Sequence, residues 1–248
     1  MNLYMNEESV TLLNEQQSKV SITQHHRIIN FNHRRIMAFG GSLAMILACA
    51  PFCAEIMLAG YFGTYIYYED GLKEFTSINA MFMILIQIGA HVFTDPIAAF
   101  MFKRLNGKLM VTLGYALLLL CMATMLFAKT STTYILAMCG LVPMATSILQ
   151  FTAFMSLWEW VSPNKRGLVT GAVNMFGVLA MALVLIFELT IINRNGLVAD
   201  DTLYPKTIVE QFKKFILIFA AVQAVFGLFS IFVYQRNDAS VIRENGYR

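Results

Sequence analysis

Two stretches of this chain, Leu109 to Ala128 and Phe215 to Tyr234, run for 20 residues each without a charged side chain. The hydrocarbon layer of a bilayer, about 30 Å thick, requires about 20 apolar residues of helix to cross it. An ordinary soluble domain is about one quarter charged, whereas this chain is 13% charged and 58% hydrophobic, with a mean hydropathy of +0.62. Lipid is therefore its solvent, and disorder is excluded by the same numbers. Four more runs reach spanning length, which gives six in all: 35–66, 77–102, 109–128, 131–158, 168–192 and 215–234. The alternating pattern of membrane barrel strands is absent, and in lipid the backbone must then satisfy its polar groups as helix. The expected fold is all-α: a polytopic bundle of six transmembrane helices over 35–236, with polar tails at 1–34 and 237–248.

Six spans put both tails on one side of the membrane. Of the 18 Lys and Arg residues, twelve fall in segments on that side and six on the other. Cationic loops stay in the cytosol, so both termini are expected to be cytosolic. The N-terminal tail has no apolar segment typical of a signal peptide, and its Glu7, Glu8 and Glu15 argue against a mitochondrial presequence. Its stretch from Glu8 to Leu13 resembles an acidic dileucine sorting signal, which points to the plasma or the endosomal and vacuolar membranes. His25, His26, Arg27, His33, Arg34 and Arg35 form a basic approach to the first span, suited to anionic headgroups of the lipid bilayer. The net charge of +3 is spread along the chain, so no nucleic-acid partner is expected. All four cysteines (Cys49, Cys53, Cys121 and Cys139) lie in spans without metal or redox spacing, and read as small packing residues. No cofactor or metal is expected.

Polar groups in hydrocarbon are costly and tend to face a cavity or another helix. Glu55 lies midway along the first span and is a candidate cavity residue. His91 and Asp95 stand four apart on the second span, hence on one helical face, with Pro96 next in sequence. They read either as a proton-coupled or gating pair, since histidine changes charge near neutral pH, or as a mutually satisfied pair near the cytosolic headgroups beside Lys103. Glu188 sits toward the outer end of the fifth span, within reach of the interface. Gln150 on the fourth span and Asn174 on the fifth either line a polar pathway or join helices by hydrogen bonds. Pro143 is expected to kink the fourth span. No nucleophile elbow, zinc-protease pair, phosphate-binding loop or paired-aspartate motif occurs, so no enzymatic activity is expected.

The junction Trp158-Glu159-Trp160-Val161-Ser162-Pro163-Asn164-Lys165-Arg166-Gly167-Leu168-Val169-Thr170-Gly171 resembles that between helices four and five of major facilitator transporters. The similarity is to their monocarboxylate and oxalate:formate antiporter-like group, and it continues through Asn174 to Gly177. A second similarity lies between spans two and three, where the superfamily pattern is Gly-x-x-x-Asp-Arg-x-Gly-x-Lys/Arg. Arg104 and Lys108 match it; Ala99 replaces the first Gly, Lys103 replaces the Asp, and the later Gly is displaced to Gly107. In the family that Asp contributes to a charge relay between access states, and Lys103 reverses its sign. The stretch Asn193 to Phe212 resembles the extended outer loop before helix six.

The resemblance, over about 35–236, implies the N-terminal six-helix half of a major facilitator fold. It implies transport of small solutes, organic anions of monocarboxylate type, with Arg104, Lys108, Lys165 and Arg166 as the gating-loop cations. Such carriers enclose a midplane site between two six-helix halves. A second half, from another copy in a homodimer or from another chain, is therefore an expected partner. A transport-inactive scaffold is the alternative function, favoured by Lys103.

Overall fold

The computed structural model describes residues 32–50, 61, 63–68, 77–127, 131–197 and 204–234. They are helical apart from short turns, with no strand among the described residues. Helix α1 covers 32–50, and another helical stretch covers 63–68. Then come α2 (Ser77–Arg104), α3 (Gly107–Phe127) and α4 (Ser131–Leu136). A π turn (Ala137–Leu141) joins α4 to α5 (Val142–Glu159). A 3₁₀ turn (Pro163–Lys165) leads into α6 (Arg166–Ile192), and α7 is Thr207–Val233.

Five helical segments are long and apolar enough to cross a bilayer: Leu85–Arg104, Gly107–Phe127, Ala137–Glu159, Pro163–Ile192 and Thr207–Val233. They correspond to the second through sixth expected spans, and the chain is consistent with an integral membrane protein. The first expected span, 35–66, lies partly outside the described residues. The sixth helix starts at Thr207 rather than 215, because two lysines do not stop a helix whose end lies at the interface. The Lys213 ammonium rests 5.9 Å from the centre of the Tyr65 ring. At Pro143 the expected disturbance takes the form of the π turn just before it. There Val142 N–H donates to Ala137 O, five residues back, which accommodates the ring and missing donor of Pro143 in a widened turn.

Small residues set how the helices pair. A Cβ built on Gly114 of α3 would lie 2.6 Å from Leu149 Cγ of α5. The Cys121 thiol, two turns further along α3, points to Ala137 O at 3.6 Å. These contacts make α3 and α5 antiparallel neighbours. On its other side α3 packs against α7, where Gly227 receives the Tyr115 ring and Ser230 Oγ lies 3.0 Å from Tyr115 Oη. Helix α2 lies along α5. α1 meets α5 where the Cys49 thiol points to Thr146 O, and meets α6 where Ile46 lies against Gly177. These pairings make one row, α2–α5–α1–α6, with α3 and α7 behind it.

At the end of the bundle opposite Arg104, Asn193 closes α6 by accepting from Leu197 N–H at 2.7 Å and donating to Tyr61 Oη at 3.0 Å. Gly196 takes the positive φ (60°) that this turn requires. Tyr204 N–H donates to Thr64 Oγ1, and the Tyr204 ring lies 4.5 Å from that of Tyr61. Burial, then the nearby Tyr61, pushes the Tyr204 phenol above its ordinary value.

Gln223, midway along α7, is a polar anchor that sequence reading missed. It is 1% exposed and donates from Nε2 to Ala48 O at 2.7 Å, while Oε1 has no partner among the described residues. One bond gained is set against one buried acceptor left unsatisfied, each worth about 1–2 kcal/mol. Gln223→Leu is therefore expected to change stability by less than about 1 kcal/mol, read as a small shift in thermal unfolding in detergent.

Candidate functional site

Halfway along α2 and α5 the apolar packing gives way to a run of hydrogen bonds. His91 Nδ1 lies 2.9 Å from Ser147 Oγ, and Ser147 Oγ lies 2.7 Å from Thr94 Oγ1. The Thr94 hydroxyl also reaches Pro143 O at 3.4 Å. A single polarity satisfies all three: Nδ1–H donates to Ser147, Ser147 donates to Thr94, and Thr94 donates to the carbonyl. On the far side of the ring, Nε2 lies 3.5 Å from Thr146 Oγ1, whose hydroxyl donates to Val142 O at 2.8 Å. Asp95 Oδ1 is 3.6 Å from His91 Nδ1. Ser147 and Thr146 are almost fully buried, whereas the His91 and Asp95 side chains are 30% and 61% exposed.

Local sequence explains why these groups converge. Residues 91, 94 and 95 share one side of α2 by helical spacing, and on that element Ala98 and Phe102 continue the buried face. Ser147 stands one turn after Pro143, where the π turn has reset the helix phase. His91 lies 13 residues before Arg104 in a continuous helix, or about 20 Å at 1.5 Å per residue. Asp95, by the same rise, is about 14 Å from that end. His91 therefore stands midway along α2, and Asp95 one turn nearer the Arg104 end.

The other candidate residues distribute differently. Glu55 lies outside the described residues. Gln150 is half-buried on α5 and Asn174 is exposed on α6, and the hydrogen bonds of the His91 cluster run to other residues. Thr94, Thr146 and Ser147 were not singled out from sequence. The available signal was the grouping of His91, Thr94 and Asp95 opposite a hydroxyl pair following a proline.

The cationic candidates gather at one end. Arg104 ends α2, Lys108 lies in the first turn of α3, and Lys165 and Arg166 make the junction into α6. The antiparallel pairing of α3 and α5 brings these ends together, and all four side chains are exposed. Arg104 lies over the Phe100 ring at 5.3 Å. Asn106 caps α3 by accepting from Lys108 N–H at 3.1 Å. Across the aromatic junction the Trp158 indole donates to Thr170 Oγ1 at 2.9 Å, and the Thr170 hydroxyl donates to Arg166 O. This ties α5 to α6 around the Pro163 turn.

Cys49 and Cys121 are buried and Cys139 is half-buried; Cys53 lies outside the described residues. No cluster suited to a metal ion occurs among the described residues. Comparison with protein-family models, curated proteins and solved structures finds no match.

Proposed function

We propose that this chain is one lobe of a two-lobed carrier of the major facilitator type, moving small organic anions of monocarboxylate type by alternating access. The observation that carries this reading is the hydroxyl–imidazole–carboxylate seam at the middle of two spans. Hydrocarbon penalises such groups, which is why polar side chains at depth mark solute and proton paths. Among the described residues, His91 is the basic side chain farthest from the helix ends. Its protonated form would supply the positive charge an anion needs at mid-depth. The seam also bears on the π turn, and such turns recur at sites of helix adjustment.

The helix pairing supports a six-helix lobe made of two inverted three-helix repeats. Count α1, α2 and α3 as the first repeat, and α5, α6 and α7 as the second. Exchanging the repeats maps α2–α5 onto α6–α1, and α3–α5 onto α7–α1, with α3–α7 mapping onto itself. Each of these contacts is present. The distribution of Lys and Arg supports cytosolic termini, and the dileucine-like stretch favours an endosomal, vacuolar or plasma membrane.

The direct test is uptake of radiolabelled monocarboxylates into proteoliposomes containing the purified full chain. Saturable uptake that unlabelled monocarboxylate inhibits and an uncharged sugar does not is the expected result. No uptake above protein-free vesicles at any pH overturns the transport reading in favour of a scaffold.

A further inference from the structure

The surface of the bundle differs in polarity between its two layers. Behind the row, every exposed side chain of α7 from Leu217 to Val233 is apolar. The threonines that reach the surface of α3, Thr112 and Thr124, return their hydroxyls to Lys108 O and Leu120 O of their own helix. That layer is finished for lipid. The row α2–α5–α1–α6 is not. It carries Asp95, 61% exposed on α2, and the exposed carboxamide of Asn174 on α6, with Gln150 half-exposed between them. The two flanking helices of the row, α2 and α6, are also the least buried of the five spans.

Depth connects the two exposed groups. Asp95 lies nine residues from Arg104 and Asn174 eight residues from Arg166, on helices that end together at the cationic face. At 1.5 Å per residue they stand about 14 and about 12 Å from that face, within one helical turn of each other. A carboxylate offers only acceptors and a carboxamide supplies two donors. A two-fold axis along the membrane normal keeps depth unchanged, and it brings each patch of a surface against the other patch of its copy.

We propose that the α2–α5–α1–α6 row is the contact face of a homodimer, in which Asp95 of each copy accepts a hydrogen bond from Asn174 of the other. The occupant is a second copy because donor and acceptor lie on one chain at matching depth, so a single symmetric contact satisfies both twice. Exposed Gly171, less than one turn before Asn174 and with nothing within 4 Å of its Cβ position, leaves room on α6 for close approach of a second helix. In such a dimer the His91 seams of both copies border one enclosed space. This deepens the two-lobed reading by naming the second lobe, but its test does not depend on uptake.

The experiment uses two differently tagged full-length chains, with Cys49, Cys53, Cys121 and Cys139 replaced by alanine, co-expressed in membranes. One chain carries Asp95→Cys and the other Asn174→Cys, and mild oxidation is followed by detection of mixed-tag disulfides. The mixed product is expected to exceed same-site products by about 10-fold, because only the 95–174 pairing lies at hydrogen-bonding range. In the otherwise native chain, Asn174→Asp sets two carboxylates face to face and is expected to weaken dimerisation in lipid nanodiscs by about 10-fold or more. Adding Asp95→Asn to it exchanges donor and acceptor, and is expected to restore the dimer to within about 3-fold. A strictly monomeric chain, same-site disulfides equal to the mixed product, or no rescue by the exchange overturns the proposal. Normal dimerisation without uptake leaves the interface standing and removes only the transport function.

Discussion

Gly114→Leu is expected to prevent assembly of the bundle: the protein should be recovered as aggregate, without a cooperative unfolding transition in detergent. A Cβ at this position would meet Leu149 Cγ at 2.6 Å, Leu149 Cδ2 at 2.7 Å and Ile148 Cγ2 at 3.3 Å. Leu149 and Ile148 are 0% and 1% exposed, so neither side chain has free volume to turn into. Overpacking a filled core by a single methyl costs about 1–3 kcal/mol, the range expected for Gly114→Ala. A leucine adds three further carbons and must separate α3 from α5, the helix that also holds the His91 seam. Gly167→Ala is the control. Its Cβ meets nothing within 4 Å, so stability should stay within about 0.5 kcal/mol of the parent. Equal thermal stability of Gly114→Leu and the parent would show that α3 and α5 do not approach as described.

His91→Leu is expected to lower carboxylate uptake by about 10-fold or more, with the protein still folded by size-exclusion profile and circular dichroism. The imidazole is bonded to Ser147 Oγ at 2.9 Å and faces the Asp95 carboxylate at 3.6 Å. Leucine fills the volume but removes the imidazole that faces Asp95 and leaves Ser147 without its donor. His91→Gln keeps a donor but cannot carry a positive charge at any pH. It should retain more uptake than the leucine variant and less than the parent. The groups facing His91 from α2 and α5 are Asp95, Thr94, Thr146 and Ser147; of these only Asp95 is titratable. Parent-level uptake by His91→Gln would remove the imidazole's positive charge from any role in holding the anion.

The same two residues show what sequence reading reached and where it stopped. Spacing alone put His91 and Asp95 on one helical face, and in the structure they stand 3.6 Å apart. It did not reveal that the imidazole is closer to Ser147, 56 residues later in the chain. Gln150 and Asn174 were equivalent as sequence, two neutral amides in apolar runs. Packing makes one half-buried and leaves the other exposed on α6. Gln223, the amide that does tie two helices together, drew no notice because it stands in an uncharged run like any other polar residue.

What the sequence determined by itself is the solvent and the secondary structure. Lipid offers no hydrogen bonds, so an uncharged run of spanning length is helical whatever its neighbours do. It also placed the cationic junctions, because charged side chains return to the interface. The tertiary structure alone decided which helices touch, where Gly114 admits Leu149, and which polar groups meet midway along α2 and α5. Those outcomes depend on shape fitted between segments far apart in the chain. Spans equally apolar on every side carry no periodic stripe from which that fit could be read.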